Sequence, residues 1–197
     1  MRGLLVTLLL CMSGVLVSCA EPGGPSEAAD ATATGGKYNK KLHDQLIGML
    51  KRDQRERMGG ALGEGDEART ERLKKILDKH GWPTYGLVGE DGEDAAWAIA
   101  QHSDHDLAFQ KKALELLRVA VAVDQASPGN LAYLTDRVAV AQGKPQSYGT
   151  QVGCGPNGPA PATPIRDKAN VEERRKAAGL DPLADYLDEM TAICNQG

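Results

Sequence analysis

The chain is 197 residues long, 41% hydrophobic and 25% charged, with 23 basic residues against 27 acidic ones and a net charge of −4. That length holds one domain with a core, and mild acidity with no basic stripe excludes a surface built to neutralise nucleic-acid phosphates. After the first apolar run, no second stretch is long enough to span a membrane.

Arg2 and an apolar run from Leu4 to Leu16 lead into Leu16-Val17-Ser18-Cys19-Ala20. A charged start, a short apolar stretch and small residues before the cut read as an export signal over residues 1–18, too short for a spanning helix. The placement of Cys19 resembles the lipobox of bacterial lipoproteins. That resemblance implies cleavage before the cysteine and a diacylglycerol on its sulfur, and so a lipid anchor on the outer face of the bacterial cytoplasmic membrane. An ordinary secretory signal cut near Ala20 is the competing reading. Removing residues 1–18 takes Arg2 away and leaves 22 basic against 27 acidic residues, a net charge of −5.

Residues 19–37 form the expected lipidated tether, since Glu21 to Gly36 holds only Gly, Pro, Ala, Ser, Thr and acid. Such a stretch cannot bury enough surface to offset its ordering entropy. The body is expected over 38–197. Of the four cysteines, Cys11 lies in the signal and Cys19 is the anchor, which leaves Cys154 and Cys194. An even pair in an exported domain most simply forms one disulfide.

A first helix is predicted from about 38 to 57, with Leu42, Leu46, Met49 and Leu50 on one stripe. The same stripe continues to Asp53 and Arg57, which puts a carboxylate and a guanidinium on the core side. A second helix, about 67–80, turns Leu73, Ile76 and Leu77 inward and stops at Gly81. A third starts near Asp91-Gly92 with Ala95, Ala98, Ile99 and His102 on its inner face. It either runs on through Asp106 into Leu107, Gln110, Leu114, Leu117 and Val121, or breaks near Ser103. Asn130 is placed to cap a fourth helix that ends at Gly143. Gln146 to Val152 alternates like a short strand, whereas Gly155 to Pro164 is too rich in Gly and Pro for regular structure. Two short helices close the chain, about 171–178 and 182–194, the second with Asp181 as N-cap. The fold class is therefore mainly α, about six helices in a single domain with a small β-hairpin or strand element near 146–166.

The segment Gln101-His102-Ser103-Asp104-His105-Asp106 gathers ionisable groups between apolar stretches. On an unbroken helix His102, Asp106 and Gln110 stack one turn apart. His102 has three readings: a core histidine bonded to Asp106 or a backbone carbonyl, a ligand contact or general base, or a metal ligand with His105 and Asp106. The spacing is not that of HExxH, and neither cysteine has a CxxC partner, so no metal and no cofactor is assigned. Asp136 faces inward on the line Tyr133, Asp136, Val140. Arg137 is either an ion-pair member or a fork for a ligand's carboxylate or phosphate. On a strand Gln146, Tyr148 and Thr150 share one face, opposite Gln151, with donors and acceptors suited to a polar substrate and equally to bonding the neighbouring helices.

Asp53-Gln54, Gly81-Trp82-Pro83, Gln101-His102 with Asp104 and Gln110, Leu134-Thr135-Asp136-Arg137-Val138 and Gly143-Lys144-Pro145-Gln146 running into Tyr148-Gly149-Thr150-Gln151 resemble an uncharacterised bacterial family. It is domain-of-unknown-function family 6624, and the similarity spans roughly Leu42 to Tyr186. Arg174-Arg175 and Gly179-Leu180 resemble its C-terminal pattern. The resemblance implies a shared α-rich fold and a shared polar site at Asp53, Gln54, His102, Gln110, Asp136, Arg137, Gln146, Tyr148 and Gln151, and brings no reaction. Neither Cys154 nor Cys194 belongs to its pattern.

Asp53, His102, Gln110, Asp136, Arg137, Gln146, Tyr148 and Gln151, with Asp106 added from the helical stack, form the candidate pocket. The expectation is a membrane-anchored lipoprotein whose body binds a polar small molecule or envelope ligand, with no nucleic-acid partner and an open oligomeric state. The alternative is a cell-envelope hydrolase with His102 as general base, Asp106 or Asp136 orienting it, and Arg137 with Tyr148 binding developing negative charge.

Overall fold

The computed structural model describes residues 37–60, 63–156 and 158–195. The expected signal, Cys19 and nearly all of the tether lie outside the described residues. Within them the fold is mainly α. Five helices come first: α1 (Lys40–Arg57), α2 (Gly65–His80), α3 (Tyr85–Gln101), α4 (Leu107–Val121) and α5 (Pro128–Ala141). A two-stranded antiparallel hairpin follows, β1 (Val152–Gly155) and β2 (Gly158–Pro161), and then α6 (Val171–Ala177) and α7 (Leu183–Cys194).

Seven helices rather than six form because the stretch from 85 to 121 is two. Asp106 is the reason for the second start: its side chain accepts from the Phe109 N–H and caps α4. The chain therefore breaks near Ser103, and His102, Asp106 and Gln110 do not share one helix. α3 also begins earlier than its periodicity suggests, with Gly89 at φ 78 bending its first turn. Ser127, not Asn130, caps α5, with Pro128 in the first turn. Asp181 does not cap α7; Pro182 precedes it, and the Glu172 carboxylate accepts from the Leu183 N–H instead.

The small hairpin expected near 146–166 is present, but its strands do not lie where the alternation put them. Residues 147–151 are a turn, not a strand, and β2 forms inside the segment that composition marked as irregular. Val152 pairs with Pro161 and Gly155 with Gly158. Proline is tolerated because β2 is an edge strand of a two-stranded sheet.

Two apolar clusters hold these elements. The larger joins α1 to α5 around Leu46, Met49, Leu73, Val88, Leu117 and Leu134, all fully buried. The smaller gathers Val152, Val171, Leu183, Tyr186 and Met190 under the hairpin and α7. Cys154 on β1 and Cys194 at the end of α7 are disulfide-bonded, with Cα atoms 5.5 Å apart. The bond closes a separation of 40 residues and ties the smaller cluster together.

α3 and α5 lie side by side and run the same way. Glu93 meets Asn130, Trp97 meets Tyr133 at 5.9 Å between ring centroids, and Asp104 just past α3 meets Arg137. These three rungs carry the candidate polar residues from one apolar cluster to the other.

Candidate functional site

The stripe Leu42, Leu46, Met49 delivers Asp53 to the buried end of α1, as the heptad-like spacing expects. His102 ends α3 directly above it. Its Nδ1 lies 2.9 Å from Asp53 Oδ2 and 3.0 Å from Oδ1, and both side chains are buried. Arg57 Nε sits 3.1 Å from Asp53 Oδ1 and equally far from His102 Nδ1. A carboxylate can accept from both groups, so the assignment that satisfies all three puts a proton on Nδ1 and aims both donors at Asp53. His102 Nε2 has no protein partner among the described residues. With the ring neutral it carries the lone pair.

Three carboxylates and two guanidiniums crowd this place. Arg69, 2% exposed, donates to Glu56 at 2.8 Å and to Asp66 at 2.7 Å, and Arg57 reaches Asp66 at 2.9 Å. Arg69 Nε stays 3.7 Å from Asp53, without a hydrogen-bond partner. Burial alone would push the Asp53 carboxyl up. Hydrogen bonds and charge from His102 and Arg57 outweigh it and hold the carboxyl below its ordinary value. Thr70 and Ser103 complete the roof, their hydroxyls 2.7 Å apart.

Asp136 serves a different purpose. It is fully buried on α5, and its carboxylate accepts from the N–H groups of Ser147, Tyr148 and Thr150 and from the Thr150 hydroxyl at 2.6–3.2 Å. The turn converges on it because Gly149 adopts φ 73, where a Cβ would lie 2.6 Å from Ile165 Cδ1. Gln146 is matched on every side: it donates to the carbonyls of Gln151 and Thr163 and accepts from the Gln151 N–H. These groups hold the 146–151 turn in shape.

Arg137 leaves α5 beside them. Its guanidinium forks onto both Asp104 oxygens and donates to Gln151 Oε1 at 3.0 Å. Gln110 donates to Asp104 and to the Ala100 and Gln101 carbonyls, which fixes its amide and closes the end of α3. Tyr148 contributes backbone: its N–H to Asp136 and its carbonyl to Arg175.

The nine candidates thus fall into three places. Asp53 and His102 meet; Asp136, Arg137, Gln146, Tyr148 and Gln151 meet around the turn; Gln110 joins the second set through Asp104. Asp106 stands apart, paired with Lys74 at 2.7 Å beside a surface hollow of about 280 Å³. His105 is exposed, away from His102's buried face.

Sequence reasoning missed Arg69 and Glu93, and met Arg175 only within a family resemblance, without a place in the site. Arg175 is 1% exposed, donates to the Asp181 and Tyr148 carbonyls and lies over the Tyr186 ring. It shares a helix face with Val171 and Ala178, which was its signal. Glu93, fully buried, accepts from Trp82 Nε1 and Asn130 Nδ2, both at 2.9 Å. With no cation against it, burial pushes its pKa up to about 7. The inner face read from the sequence, Ala95, Ala98, Ile99 and His102, did not include it.

Four buried side-chain atoms lack hydrogen-bond partners among the described residues: Arg69 Nε, Trp97 Nε1, Gln101 Oε1 and Gln110 Oε1. Two of them, from Gln101 and Gln110, flank the α3–α4 turn that also carries His102.

No curated protein and no solved structure matches the chain. The family model of a family of unknown function, DUF6624, matches residues 50–193, which include every residue of both polar clusters named above. The chain belongs to that family.

Proposed function

We propose that the protein is a lipid-anchored envelope protein, tethered through Cys19 over residues 19–37, whose α-rich body binds a polar envelope ligand at the turn between α3 and α4. The observation that carries the reading is unmet hydrogen-bonding capacity in one short segment. Gln101 Oε1 and Gln110 Oε1 are buried without hydrogen-bond partners among the described residues, and His102 Nε2 between them takes no protein hydrogen bond there, while Asp136, Gln146 and Arg137 are matched within the fold. A buried acceptor without a donor costs about 1–3 kcal/mol, and a ligand that donates to it recovers that cost. Titration with solubilised peptidoglycan fragments tests this. Binding that weakens in His102→Gln and Gln101→Leu, with melting unchanged in the second, supports the reading; no binding by the wild type overturns it.

One observation favours a second reading, envelope hydrolysis with His102 as general base. Asp53 holds Nδ1 and leaves Nε2 the ring's free base, the arrangement that orients an imidazole to take a proton from water. Asp53 fills the orienting role given above to Asp106 or Asp136, since Asp106 pairs with Lys74 and Asp136 holds the 147–150 turn. Release of product from the same fragments, lost in His102→Ala, distinguishes turnover from binding.

A further inference from the structure

We infer that the end of the body where α1 starts and α2 stops is a membrane-facing surface that takes the phosphates of anionic lipids; this rests on the lipid-anchor reading above. A shallow hollow of about 230 Å³ opens there, with Arg72, Lys75, Lys79 and His80 at its edge and Leu42 and Ile76 behind them. Among the described residues no carboxylate lines it.

The acidic residues nearby sit in ion pairs, and Asp91 too is held, by His43 at the start of α1. Glu71 pairs with Lys74, Asp78 with Lys112, Asp44 with Lys40 and His43, and Glu64 with Arg52 and Arg72. Lys75 and Lys79 are exposed and form no ion pair among the described residues, and the same holds for Lys37 and Lys41 at the start of α1. A chain with a net charge of −4 therefore shows a locally cationic end. Periodicity along the sequence gave no basic stripe, because this surface is assembled from two antiparallel helices. At physiological salt the screening length is about 8 Å, so a surface pressed against this end senses the lysines and not the distant acids.

Position selects the occupant. The described chain begins at Lys37, at this same end, and Cys19 lies 18 residues before it. Fully extended, that span reaches at most about 65 Å. An anchored body is thus joined to the bilayer by its cationic end, and lysine stems can lie along the headgroup layer with their ammonium groups on phosphate.

The test uses the chain from residue 19 onward with Cys19→Ala, so that no acyl group contributes. It should sediment with vesicles containing phosphatidylglycerol, not with pure phosphatidylcholine, and should be released by high salt. Lys75→Glu with Lys79→Glu should weaken vesicle binding on the order of tenfold or more, with unchanged melting, since each basic residue near an anionic surface carries a several-fold effect. Equal binding by the double variant overturns the proposal, as does no binding to the anionic vesicles. Binding to soluble polyphosphate but not to vesicles overturns it too, by making the ligand a free phosphate polymer. The anchor is read separately: a chain extracted from cell membranes without acyl mass defeats the anchor alone.

Discussion

Asp53 Oδ2 and His102 Nδ1 stand 2.9 Å apart although 49 residues separate them in the chain. The contact joins the last turn of α1 to the end of α3 and draws Arg57 into the same buried group. Asp53→Asn leaves Arg57 and Arg69 without that charge and should cost about 3–5 kcal/mol in denaturant unfolding, the range for breaking a buried ion pair. The pH dependence has a definite sign. The folded carboxyl titrates below its ordinary 3.8, so the unfolded chain takes up the proton first as pH falls. Its contribution is complete above about pH 5 and is lost as pH drops through the folded value. The acid limb of the stability curve should flatten in Asp53→Asn.

Glu93 acts in the opposite direction. Its folded pKa of about 7 lies above the ordinary 4.5, so between those values the unfolded chain is ionised while the folded one holds the proton. Stability should fall as pH rises from 4.5 to 7 and level off above, a change on the order of 3 kcal/mol. In Glu93→Gln that slope should vanish from melting temperatures measured across pH 5 to 8.

Asp136→Asn turns an amide N–H toward backbone N–H donors. It should destabilise the fold by about 3–5 kcal/mol, since buried donors at Ser147, Tyr148 and Thr150 lose their acceptor. Hydrogen exchange reads this locally: those three amides should exchange far faster than amides in α1.

Cys154→Ser with Cys194→Ser should lower stability by about 4 kcal/mol by the chain-entropy argument for a closed loop of this length. The loss should be concentrated in α7 and the hairpin, because the bond joins β1 to the end of α7. Mass measured with and without reductant checks that the wild-type pair is oxidised.

Helices were legible wherever an apolar stripe met a clear stop, as in α1 through Asp53 and α2 at Gly81. The break at Ser103 was legible as one of two options, because Asp106 suits a helix interior on its apolar neighbours and a cap on its carboxylate. The 146–151 turn misled the strand reading. Its alternation is real, but the odd and even residues diverge around one carboxylate rather than across a sheet, and only contact with α5 reveals it. β2 was hidden because proline and glycine, which disfavour a central strand, are acceptable on an edge. At the site, Asp53 and His102 were each legible as inward-facing, yet their pairing was not, since nothing in local spacing joins positions 49 residues apart. Arg69 and Glu93 were passed over for a similar reason: charged residues on helices read as solvated until the neighbouring helix is in place.

The most direct measurement is the 15N resonance of the His102 imidazole, followed while solubilised peptidoglycan fragments are added to the protein. A protonated Nδ1 against Asp53, with a bare Nε2 whose resonance moves on addition, is the expected result. A proton on Nε2 with Nδ1 bare toward Arg57, or an imidazole that does not respond to the fragments, would contradict the account.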